Sequence, residues 1–85
     1  MDRAAREREA ARITYFRKLA GISQAELARR LGVRAPTVHE WVTAQSSPSP
    51  YAREKLPGAL EVSARVFWGW KPPEGDPTPD PAEAG

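Results

Sequence analysis

The sequence predicts an all-α fold, one compact five-helix bundle. Two observations carry this. No segment alternates apolar and polar residues over the length of a strand. Apolar residues recur instead at helical spacing between residues that start and stop helices. At 85 residues without a cysteine, the chain is one small domain with neither a disulfide framework nor a thiolate metal site. It holds no apolar run long enough to span a bilayer, and its first twelve residues, MDRAAREREAAR, are charged throughout. A soluble, cytoplasmic protein is expected.

Residues 3–20 contain no Gly or Pro and are rich in Ala, Arg and Glu, all strong helix formers. Ile13, Phe16, Leu19 and Ala20 share one face, which predicts packing on a core. Residues 1–12 offer only alanines for burial and predict an N-terminal helical extension that frays or orders against a partner. Gly21 supplies the stop. Ser23-Gln24-Ala25-Glu26 is a capping box, the Ser hydroxyl taking one free amide and Glu26 reaching back to another. Ile22 and Leu27 are placed for the hydrophobic staple of such a box, and Leu27, Ala28 and Leu31 form the buried face. Gly32 ends this helix and Val33 follows it as the expected apolar residue.

Residues 35–43 predict the third helix, with Val38, Trp41 and Val42 inward and Pro36 tolerated in the first turn. Its outer strip shows Pro36, Thr37, His39, Glu40 and Thr43. Ser49 is placed to cap a helix from Pro50, with Tyr51, Leu56, Ala59, Leu60 and Val62 as its inner face and a kink or split at Pro57. A fifth helix fits Ala64 to Trp68 behind Ser63. Residues 71–85, rich in Pro and acid, predict a disordered tail.

Charge is unevenly spread. Residues 1–71 carry all thirteen Lys and Arg against seven acids, a net +6, and residues 72–85 carry four acids and no base, a net −4. A basic folded part suggests an anionic partner. His39 is the only histidine, so a metal role has nothing to build on, and no Gly-rich phosphate loop or nucleophile–base pair points to catalysis. No enzyme activity and no cofactor are expected.

Taken together, Phe16-Arg17, Gly21-Ile22-Ser23-Gln24, Glu26-Leu27-Ala28, Leu31-Gly32-Val33, Thr37-Val38 and Trp41 resemble the Cro / lambda-repressor-like (XRE-type) helix-turn-helix domains, with Pro48-Ser49-Pro50 and Leu56 to Ser63 continuing the pattern. The motif covers 23–43 and the domain 13–70. The resemblance implies sequence-specific binding of double-stranded DNA as a homodimer, the third helix lying in the major groove. Gln24 would meet a phosphate at the start of the second helix. Arg34, Ala35, Pro36, Thr37 and Glu40 would occupy base-reading positions, with His39 a groove-side or phosphate contact and Thr43 a phosphate contact. Glu40 would accept from a cytosine amine or simply be solvated.

Three positions depart from the family pattern. Arg34-Ala35-Pro36 replaces a Ser, Thr or Gln-rich opening. Val42 replaces the Glu that pairs with the helix-one Arg, leaving Arg17 to a carbonyl, another acid or a phosphate. Ala44 replaces the Gly after the third helix. Trp68 and Trp70 either cap the open end of the bundle or form a dimer or partner surface, the position of Trp70 among prolines favouring the latter. The implied role is a transcriptional regulator, a repressor of phage or mobile-element type. An antitoxin-like autoregulator holding a protein partner through the Trp surface or tail, and a helix-turn-helix fold used only for protein interaction, are the alternatives.

Overall fold

Every helix but one begins at a side chain that accepts a free amide of the first turn, three residues on, in a computed structural model that describes residues 2–72. The helices are α1 (Arg3–Ala20), α2 (Gln24–Leu31), α3 (Ala35–Val42), α4 (Pro50–Ala59) and α5 (Ala64–Gly69). Asp2 Oδ1 accepts from Ala5 at 2.8 Å, Ser23 from Glu26 at 3.0 Å, Ser49 from Ala52 at 3.2 Å and Ser63 from Val66 at 3.1 Å. Helix α3 lacks a side-chain cap and starts instead with proline in its first turn. The domain is all-α, and among the described residues no helix is long and apolar enough to cross a membrane.

The first four helices end in one way. In each, a residue in the left-handed region donates to a carbonyl three back, and the next residue donates five back. After α2 these bonds are Gly32 to Arg29 and Val33 to Ala28, and after α3 Ala44 to Trp41 and Gln45 to Glu40. The left-handed residue is Gly21 (φ 73°), Gly32 (72°), Ala44 (61°) and Glu61 (62°). Replacing the family's Gly by Ala44 therefore leaves the turn geometry in place and puts an L-residue into it.

The core joins Ile13 and Phe16 of α1, Leu27 and Leu31 of α2, Val38 and Trp41 of α3, Leu56 of α4, Leu60, and Phe67 of α5. Helix α3 packs on both α1 and α2, α2 also on α4, and α4 on α5. The second helix of the motif is thus braced from two sides.

Several expectations are corrected. Pro57 does not split α4, because it lies in the last turn, where only Gly58 and Ala59 follow it in the helix. Tyr51 is 61% exposed, its expected inner place being taken by Ala52 and Pro57, and Leu19 is 66% exposed. Glu26 does not reach back to Ser23: its carboxylate turns to Arg29 and Arg30. Arg17, by contrast, takes one of the partners expected for it, the Ile22 carbonyl at 2.8 Å.

Residues 3–12 bury more than alanine. Glu9, 3% exposed, sets its carboxylate between Arg12 (3.3 Å) and Arg53 of α4. Both guanidiniums lie against the Trp68 ring, at 5.4 and 4.8 Å from its centroid. Arg12 also donates to the Trp70 carbonyl at 3.1 Å, and Arg6 Nε to the Ala44 carbonyl at 3.1 Å. The expected tail, apart from Lys71 and Pro72, lies outside the described residues.

Candidate nucleic-acid interface

The outward strip is built by two neighbouring helix starts. Gly32 and Val33 turn the chain so that α3 crosses α2, and Val38 and Trp41 anchor one side of α3 in the core. The remaining side presents Arg34, Ala35, Pro36, His39, Glu40 and Thr43, all exposed, with Thr37 half-buried.

Gln24, the first residue of α2, crosses to this strip: its Oε1 lies 3.2 Å from His39 Nδ1. With the amide carbonyl facing the ring, Nδ1 carries the hydrogen and donates, leaving His39 Nε2 and the Gln24 amide nitrogen outward. The two residues expected at phosphate and groove positions are therefore one unit, which the sequence does not reveal across fifteen positions.

Glu40 is held at one oxygen only. Ser46 Oγ donates to its Oε1 at 3.2 Å, and the second oxygen remains as an acceptor on the strip. The Thr43 hydroxyl donates to the His39 carbonyl at 2.7 Å and accepts from Gln45 Nε2 at 2.7 Å, so its proton is committed inside the helix end. Gln45 and Ser46 are the strip neighbours that sequence reasoning missed; nothing in a QSS loop marks them out. Arg34 is exposed, and no described residue holds its guanidinium.

The other basic residues of the motif are engaged. Glu26 takes Arg29 and Arg30, and Arg30 also donates to Glu61 at 2.8 Å and to the Ala59 carbonyl at 2.9 Å. The hydrogen bonds of Arg29 first and then Arg30 hold the Glu26 carboxyl down at about 2; Glu26 in turn raises Arg29, and Glu61 first and then Glu26 raise Arg30. Arg34 is thereby the cation of the motif left for a ligand.

Trp68 and Trp70 do not lie in this strip. They fold back on α1, both half-buried against the core, Trp68 between Arg12 and Arg53 and Trp70 stacked on Tyr15 with centroids 4.9 Å apart.

A family model described as helix-turn-helix matches residues 13–67. Among solved structures, the restriction-modification controller protein C.AhdI from Aeromonas hydrophila is similar, at 26% identity and a TM-score of 0.69, over 75% of this chain and 97% of that one. No curated protein matches.

Proposed function

The chain belongs to the helix-turn-helix family, and from that premise we propose that this DNA-binding transcription regulator acts as a dimer that occupies an operator and represses. It is not an enzyme. The observation carrying the proposal is the strip on α3: exposed polar side chains anchored from behind by Val38 and Trp41, with Gln24 and His39 joined across the two helix starts.

In this reading α3 enters the major groove, and Arg34 donates to a guanine edge. Ala35 and Pro36 meet thymine methyls. The free oxygen of Glu40 accepts from a cytosine amine. Gln24 donates its amide to a phosphate beside the α2 N-terminus. Thr37 and His39 line the groove, and the backbone around Thr43 meets the next phosphate. Two copies would read half-sites about 34–36 Å apart. Repression follows where an operator occupied in this way overlaps a promoter, and the protein would work in the cytoplasm.

The similarity to C.AhdI supports a second reading, in which the regulated genes belong to a restriction–modification system. Both readings share one test. Selection of the full chain against random duplexes should enrich a two-fold symmetric site. Arg34→Ala should then weaken that site by about 1–3 kcal/mol while leaving random DNA nearly unchanged. Failure to enrich any motif would refute sequence-specific binding and leave a protein-interaction role. Equal losses on both DNAs would reduce Arg34 to a phosphate contact. A promoter reporter carrying the enriched site reads the sign of regulation, lower expression being expected.

A further inference from the structure

The helix-turn-helix match begins at residue 13, yet α1 starts at Arg3. This earlier part of α1 reaches the turn that follows α3. Arg6 Nε donates to the Ala44 carbonyl at 3.1 Å, across 38 positions of sequence. That carbonyl and the Gln45 N–H belong to one planar peptide unit. The Gln45 N–H in turn donates to the Glu40 carbonyl at 2.9 Å. The plane is therefore held from both edges, by α1 on its oxygen and by α3 on its nitrogen. A charged donor makes the α1 bond stronger than a neutral one would be.

The residue after this clamped peptide unit is the one that sets Glu40. Ser46 donates twice to Glu40, through its backbone N–H to the carbonyl at 3.3 Å and through Oγ to Oε1 at 3.2 Å. A carboxylate side chain on an exposed helix face has several staggered rotamers open to it, and the Ser46 hydroxyl selects among them. It can do so only while the backbone before it keeps its orientation. Ala44 holds φ 61° in that backbone, a conformation disfavoured for an L-residue, and the bond from Arg6 to its carbonyl opposes its relaxation.

We propose that Arg6 is a positioning residue for base recognition: it fixes the turn that aims the Glu40 carboxylate, and so sharpens preference at the base pair Glu40 meets. This rests on the reading of Glu40 as an acceptor in the groove. It gives the part of α1 before the matched residues a share in choosing the operator without touching DNA.

Two measurements on the full chain test it, and the first needs no DNA. In Arg6→Ala, hydrogen exchange at the Gln45 amide should quicken about tenfold relative to the Val33 amide, whose bond to Ala28 closes α2 in the same way. The second uses the operator recovered by selection and two changed duplexes. One is altered at the base pair whose preference Glu40→Gln abolishes, the other at the pair whose preference Arg34→Ala abolishes. Arg6→Ala should cut discrimination at the Glu40 pair about threefold or more, while discrimination at the Arg34 pair stays within about twofold. Arg6→Lys, which keeps a donor for the carbonyl, should restore most of the loss. In a Glu40→Gln background, Arg6→Ala should change nothing further. Discrimination is a ratio of two affinities of one preparation, so a smaller folded fraction does not move it. Equal losses at both base pairs would overturn the proposal. So would a uniform loss on every duplex with the salt slope lowered by about 1, which would make Arg6 a phosphate contact. The failures separate. Glu40→Gln without any change in base preference would sink the reading of Glu40 and this proposal with it. Unchanged Gln45 exchange, or unchanged discrimination, in Arg6→Ala would overturn the role of Arg6 and leave that reading standing.

Discussion

Ala44→Gly should stabilise the protein. Ala44 sits at φ 61°, in the turn where α1 and α2 use Gly21 and Gly32 at 73° and 72°. An L-residue held there costs about 1–2 kcal/mol. Glycine removes that cost but adds about 0.5–1 kcal/mol of unfolded-chain entropy. The net gain is about 0.5–1 kcal/mol, or a rise in Tm of about 2–8 °C for a domain of this size. The backbone carbonyl that accepts from Arg6 is unchanged by the substitution. Gly32→Ala is the mirror experiment: a Cβ there meets nothing within 4 Å, so its loss of about 0.5–1 kcal/mol would be conformational alone. Glu61→Gly should come out near neutral, because it also gives up the ion pair with Arg30. Urea unfolding of the variants at one pH measures all four proteins. A lower midpoint for Ala44→Gly together with an unchanged or higher one for Gly32→Ala would refute the reasoning.

Other outcomes follow from the same structure. Glu9→Ala should cost about 3 kcal/mol, toward the lower end of a broken buried pair because Arg53 remains partly exposed, and should red-shift Trp68 fluorescence as the two guanidiniums lose their anchor. Phe67→Ala should cost about 3–5 kcal/mol by opening a cavity beside Phe16 and Trp68, read as a fall in the urea midpoint. Glu26 gives a pH signature. Its folded value, about 2, lies below the ordinary 4.5, so its stabilisation is present above pH 4.5 and is lost as pH falls through 2. Glu26→Gln should therefore be less stable than wild type at pH 6, with the gap closing between pH 4.5 and 2; a gap that persists at pH 2 would show that the carboxylate charge is not its source.

The parts of the fold legible in the sequence were those set by neighbours along the chain. Ser23, Ser49 and Ser63 mark helix starts because a hydroxyl reaches an amide three residues on. Gly21 and Gly32 mark ends because their φ is forced locally. The spacing of Leu27, Leu31, Val38 and Trp41 exposes the buried faces before any packing is known. What stayed hidden depends on partners far apart. Glu9 looks like one more solvated acid in a charged helix, and only the arrival of Arg53 from 44 residues away makes its burial favourable. Ala44 looks like a lost glycine, and Arg6 reaches its carbonyl from 38 positions upstream. On the α3 strip, residue types suggested which side chains face outward. The Gln24–His39 and Glu40–Ser46 pairs, which decide what those side chains still offer, were not readable.

The contacts of Arg12 with Glu9 and with the Trp70 carbonyl tie the first helix to the end of the described chain. Terminal segments ordinarily open first and exchange their amide hydrogens fastest. Here α1 and α5 cannot loosen separately, since either motion breaks the same guanidinium contacts and uncovers the same aromatic rings. Helices α1 and α5 should therefore open as one cooperative unit, and hydrogen exchange is expected to show amides around Ile13 and Phe67 exchanging at a common rate.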